Sequence, residues 1–156
     1  MSIQKIVSGG QTGVDRAALD AALSAGITVG GWCPRGRRAE DGPIDAAYPL
    51  RETPSDEYAQ RTAWNVRDSD GTLILIRDEA RGGTALTAEE AKRRGKPLLQ
   101  TKINDASASD VFAWADEHGV QVLNVAGPRA REAPGIYAAA KSLLKRVFQH
   151  AAARSS

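Results

Sequence analysis

Thr72-Leu73-Ile74-Leu75-Ile76 is an unbroken run of β-branched and aliphatic residues, without the polar alternation of a strand that has one wet face. Such a strand is covered on both sides, which places it centrally in a parallel sheet with helices above and below. The rest of the chain supplies that setting. Short apolar runs at residues 3–7, 27–32, 97–102 and 120–125 alternate with stretches of helical period. Val14, Ala18, Ala21, Ala22 and Ala25 share one face of a helix that Gly26 stops. Ile136, Ala140, Leu143, Leu144, Val147, Phe148 and Ala151 form an apolar stripe on a C-terminal helix, with Lys141, Lys145 and Gln149 on its wet side. Thr53-Pro54 reads as the N-cap and first position of a helix running to about Arg67. Further helices are expected from Thr84 or Thr87 to before Gly95 and over residues 110–118, and Tyr48-Pro49-Leu50 reads as a short edge strand. The fold class is α/β: a doubly wound, mostly parallel sheet of about five to six strands with helices on both faces.

The 156 residues suit one domain over residues 1–151, with 152–156 a frayed tail. Hydrophobic residues at 42% and charged ones at 26% are ordinary for a soluble globular chain. A net charge of +2 gives no ground for a nucleic-acid partner. The single cysteine, Cys33, excludes an internal disulfide and a Cys-rich metal site, and His118 and His150 have no ligand-like spacing, so no structural metal is expected. No signal-like stretch opens the chain and no apolar run reaches the ~20 residues of a membrane span. A cytoplasmic protein without a membrane partner is the expectation.

The first apolar run leads into Ser8-Gly9-Gly10-Gln11-Thr12-Gly13-Val14-Asp15-Arg16. A strand, a glycine turn and a helix N-terminus together aim backbone N–H groups and the positive end of a helix dipole at one point, which suits a phosphate. The stretch is neither the G-x-G-x-x-G of a dinucleotide fold nor a P-loop, and a tight strand–helix packing turn explains the glycines equally. Two more glycine loops follow strands, Gly82-Gly83-Thr84 and Gly127-Pro128-Arg129. In a doubly wound sheet, ligands bind beyond the carboxyl ends of the strands where the order reverses. With the strand at 3–7 beside the one at 72–76, the first two loops would face each other across that crevice. The candidate phosphate-binding set is Gly9, Gly10, Gln11, Thr12, Gly13, Arg16, Gly82, Gly83, Thr84 and Arg129, with Arg35 and Arg38 from a loop that also holds Arg37. Local pairing of those arginines with Glu40 and Asp41 is the competing reading. Trp32, next to Cys33, ends a strand where a ring system would need a wall. Tyr58, Arg61 and Asn65 share one helix face, which packing explains as well as binding.

Several of these stretches, in this order, resemble the molybdenum cofactor carrier proteins. The likeness is carried by residues 8–16, by Gly31-Trp32-Cys33-Pro34 with Gly36-Arg37-Arg38-Ala39-Glu40-Asp41-Gly42, by Tyr48-Pro49-Leu50 with Glu52-Thr53, and by Arg61-Thr62 with Asn65-Val66. Ser69-Asp70-Gly71-Thr72-Leu73-Ile74, Gly82-Gly83-Thr84, Gly95-Lys96-Pro97 and Ala126-Gly127-Pro128-Arg129 complete it. The resemblance implies a Rossmann-like fold within a wider group of nucleotide hydrolases and a DNA-processing protein. It implies a phosphorylated pterin–molybdenum cofactor as cargo, a homo-oligomer (dimer or tetramer), and molybdoenzymes as partners. The alternative is a nucleotide-processing enzyme or nucleotide sensor using the same pocket. The related hydrolases carry a P-G-G-x-G-T-x-x-E loop, and Thr87 stands here where their glutamate would be, so a binding role is expected over an enzymatic one. Asp15 and Asp70 remain as stand-in carboxylates for acid–base work.

Overall fold

The computed structural model describes residues 3–105 and 107–155, without the side chains of 151–155. Ala151 of the apolar stripe and the tail at 152–156 fall outside the described side chains.

β5 (Gly71–Ile76) is buried at every position, as its unbroken apolar run requires. It pairs in parallel with β6 (Leu98–Lys102) on one side and β7 (Val122–Ala126) on the other. β7 pairs with β1 (Lys5–Val7), and β1 with β2 (Thr28–Gly30), again in parallel. The order is β2-β1-β7-β5-β6. The expected contact between β1 and β5 is thus corrected: the last strand of the chain lies between them. Hydrophobic runs mark which segments are strands and leave their lateral order open. Counted from β7, the order becomes 3-2-1-4-5, the winding of a doubly wound sheet, with its reversal point between β7 and β5.

Three helices cover one face: α1 (Val14–Ser24) packs on α5 (Ile136–Ser155), and α5 on α4 (Ser107–Glu117). Leu19, Leu123, Ile136, Leu144 and Val147 belong to the large core beneath them. α2 (Tyr58–Arg67) and α3 (Gly82–Arg93) pair on the other face, where a smaller cluster of Ile74, Ile76 and Ala88 is buried. Beside it lie two buried polar residues from adjacent strands, with Asn124 Nδ2 donating to Thr72 Oγ1 at 3.2 Å.

Three local expectations change. The strand at 27–32 stops at Gly30, because Gly31 takes φ 123° and turns the chain. β3 (Trp32–Cys33) then pairs with β4 (Arg51–Glu52) in a separate two-stranded sheet. Tyr48-Pro49-Leu50 is not a strand, since the carbonyls of Tyr48 and Leu50 accept from the Arg37 guanidinium instead of a neighbouring strand. α2 begins at Tyr58, and Thr53 is no helix cap: its amide bonds Cys33 O and its hydroxyl bonds Ser55 O.

The long loop at 34–50 is folded on Arg37, which itself sits at φ 55°. Its guanidinium donates to the carbonyls of Ile44, Asp45, Tyr48 and Leu50. Asp41 pairs with Arg16, and Tyr48 donates to Asp20 of α1 at 2.6 Å, so the loop is fastened to α1. Among the described residues no helix is long and apolar enough to cross a membrane.

Candidate functional site

A cavity of about 220 Å³ opens at the carboxyl end of β7, at the reversal point of the sheet. Asn124, Val125, Ala126 and Gly127 line it from β7 and the turn beyond. The β1–α1 loop contributes Gly9 and Gln11, and the first turn of α1 Asp15; α2 contributes Tyr58, Arg61, Thr62 and Asn65; α3 contributes Gly82, Gly83, Thr84 and Thr87. Arg129 and Glu132 complete the wall and pair with each other at 2.9 Å. Residues from all three glycine loops therefore meet in one place.

The loops do different things there. In the first, the amides of Gly10, Gln11 and Thr12 bond Ser8 Oγ, Asp15 Oδ2 and Gln11 Oε1, and Val14 N bonds Pro128 O. Those four donors are already engaged within the protein. The glycines of this stretch answer to packing. A Cβ on Gly9 would stand 2.1 Å from Arg61 Nη1, and one on Gly13 2.3 Å from Pro128 O.

The start of α3 is the opposite case. Arg81 is extended at φ −136° and gives no side-chain cap, and its carbonyl takes the amides of Thr84 and Ala85. The amides of Gly82 and Gly83 have no acceptor among the described residues. A Cβ at either glycine would meet nothing within 4 Å. Two N–H groups without an acceptor among the described residues thus stand at the positive end of a twelve-residue helix, an arrangement whose electrostatics favour an anion.

Arg61 supplies the buried cation. It is 9% exposed, donates through Nη1 to Gly9 O at 2.8 Å and through Nε to Thr62 Oγ1 at 3.3 Å. Its Nη2 has no partner among the described residues. Asp15 Oδ2 lies 3.7 Å from Arg61 Nη1. Burial raises the Asp15 carboxyl to about 6, against the opposing pull of Arg61, the Gln11 amide and Arg16.

The remaining candidates are placed elsewhere. Arg16 donates twice to Gly10 O and pairs with Asp41 at 2.9 Å, so it holds the loop and does not line the cavity. Thr12 bonds Glu40 through its hydroxyl, which also accepts from Ala130 N. Gly10 and Gly13 lie behind the wall, and Arg35 is exposed away from it. Arg38 approaches the cavity only through Tyr58, over whose ring it sits at 4.8 Å, while donating to Asp56 O. Asp70 caps the amides of Gln121 and Val122, at the amino ends of the strands and the far end of the sheet from the cavity. Cys33 is fully buried, its thiol pushed up by burial, and lies outside the cavity. Trp32 packs edge-on to Trp64 at 4.7 Å and under Arg51, so no tryptophan lines the cavity. Among the described residues no group of three or more His, Cys, Asp or Glu could hold a metal ion.

Arg61 and Asn124 are the main residues that the candidate set leaves out. The i, i+3, i+7 face of Tyr58, Arg61 and Asn65 carried a signal for the first. Nothing in the sequence marks the second, because its pairing with Thr72 depends on the strand order that the hydrophobic runs leave open.

Among curated proteins none matches the chain. A crystal structure from Syntrophus aciditrophicus SB, of a protein named "Putative molybdenum carrier protein", is 48% identical over 94% of this chain and 95% of its own, with a TM-score of 0.89. The model of the circularly permutated YpsA SLOG family matches residues 6–148. A permuted family accounts for a central strand that comes last in sequence, and the chain belongs to the circularly permutated YpsA SLOG family.

Proposed function

We propose that this protein binds and carries a phosphorylated small molecule, of the molybdenum cofactor class, in the cavity above β7. The observation that carries the reading is the meeting of two free amides at the start of α3 with the unpartnered Nη2 of a buried Arg61. Both favour an oxyanion, and the arginine holds its charge when water is excluded. The name of the Syntrophus aciditrophicus neighbour supports the cofactor class. A pterin dithiolene brings its own ligands to molybdenum, so the donor set asked of the protein is one for phosphate and ring. At about 220 Å³ the cavity is below the ~300 Å³ of usual small-molecule pockets. Part of a cofactor-sized ligand therefore stays at the mouth, beside Tyr58 and Arg129.

A binding role is favoured over an enzymatic one because the Thr87 hydroxyl is spent on Gly83 O at 2.9 Å, where related hydrolases carry a glutamate. The resemblance further implies a homo-oligomer, which light scattering on the purified protein measures. The test of the cargo is native mass spectrometry with metal analysis. Bound pterin, phosphate and molybdenum are expected, with affinity for phosphorylated ligands falling about 10–100-fold in Arg61→Ala, as for one charged hydrogen bond. A protein that binds no phosphorylated ligand at millimolar concentration overturns the reading.

A further inference from the structure

The β1–α1 side of the cavity holds two polar groups that phosphate does not use. Gln11 is 6% exposed, and its side-chain oxygen accepts from the amides of Thr12 at 3.0 Å and Glu40 at 2.9 Å. Two N–H donors fix which end of the amide is oxygen, so Nε2 is the end left over, with no acceptor among the described residues. Asp15, also 6% exposed, accepts from Gln11 N through Oδ2 at 3.3 Å, and its Oδ1 has no donor among the described residues. Neither free atom is sealed in. Among the described residues Glu40 Oε2 is the fully occluded side-chain atom without a hydrogen bond, so Asp15 Oδ1 and Gln11 Nε2 are not fully occluded, and both residues line the cavity.

A carboxylate here is unfavourable for a ligand that is only an oxyanion, because like charges then face each other. It suits a ring edge with adjacent N–H groups, which a carboxylate accepts side by side. We propose, resting on the phosphate reading above, that Asp15 and Gln11 recognise a 2-amino-4-oxopyrimidine edge, the edge shared by pterins and guanine. Asp15 accepts from the exocyclic amine and the adjacent ring N–H through its free Oδ1, and Gln11 Nε2 donates to the ring carbonyl. An adenine-type edge puts a nitrogen lone pair against the carboxylate and is rejected. Burial acts on Asp15 more strongly than Arg61 of α2 and Arg16 of its own helix together. A ligand with two donors replaces the solvation that the carboxylate lacks.

The test at pH 7 follows fluorescence of pterin and of lumazine, which has a carbonyl in place of the 2-amino group. Calorimetry with guanosine and adenosine monophosphates, and with inorganic phosphate, completes it. The wild-type chain is expected to prefer pterin over lumazine, and guanosine over adenosine monophosphate, by about tenfold or more. In Asp15→Asn, which keeps an oxygen for Gln11 N, both ratios fall to about twofold while phosphate affinity holds or rises. Equal affinities in the wild type, or a preference that survives Asp15→Asn, overturn the proposal. Ring preference without phosphate binding removes the phosphate reading alone, and phosphate binding without ring preference removes this one alone.

Discussion

Replacing Asp15 by Asn stabilises this protein at pH 8 and loses that advantage in acid. The carboxyl ionises near 3.8 in an unfolded chain and at about 6 in the fold, with burial as the largest cause. Between those values the folded state holds more protons than the unfolded one, so stability falls as pH rises through the window. Below about 4 both states are protonated and the difference disappears. Above about 6 the full cost is present, about 3 kcal/mol at 1.36 kcal/mol per pH unit. The attraction of Arg61 is already included, since it acts on the same carboxyl against burial. Urea denaturation of both proteins from pH 4 to 8, followed by circular dichroism, measures the difference while the other carboxylates cancel. The expected gap is near zero at pH 4 and about 2–3 kcal/mol in favour of Asn at pH 8, or about 2–4 °C of Tm per kcal/mol for a chain of this size. A gap that does not change with pH, or an Asn variant less stable than wild type at pH 8, refutes the reasoning.

Three other expectations follow from particular contacts. Arg37→Met leaves the carbonyls of Ile44, Asp45, Tyr48 and Leu50 without their donor, and should lower stability by about 2–4 kcal/mol and make the loop at 34–50 the first site of limited proteolysis. Gly83→Asp enters open space in the first turn of α3, where an acidic residue adds about 0.5 kcal/mol, yet it should weaken inorganic phosphate binding at least about tenfold; calorimetry and thermal melts read the two effects separately. Asp70→Asn weakens a cap on Gln121 and Val122, so a loss of about 1 kcal/mol in urea denaturation is expected, with ligand affinity within about twofold of wild type.

The elements of this fold were legible because each has a local cause. β5 is apolar at every position, α5 shows its stripe, and Gly26 sits at φ 73° just past α1. Strand order had no such cause. The burial of Leu123 and Val125 makes β7 a core strand, but only the packing of distant segments inserts it between β1 and β5. The convergence of glycine loops was readable from the rule that sites lie at carboxyl strand ends. The division of labour among them was not, because it depends on which amides meet acceptors elsewhere. Gly10, Gln11 and Thr12 find theirs within the loop, and Gly82 and Gly83 do not. The arginines misled for a related reason. Charge in a sequence does not say whether a guanidinium faces a ligand or a carbonyl, and Arg16 and Arg37 both face carbonyls.

The position of β7 also bears on how the molecule is assembled during synthesis. A ribosome that has released only the first 120 residues has made two separate ribbons, β2 with β1 and β5 with β6, that share no edge. The strand that joins them emerges afterwards and must enter between edges that already exist, the kind of distant pairing that slows folding. Until it does, the inner edges of β1 and β5 are bare backbone, open to a neighbouring chain. The same late segment brings Asn124 through Gly127 to the cavity, so the cavity lacks that wall until the sheet is whole.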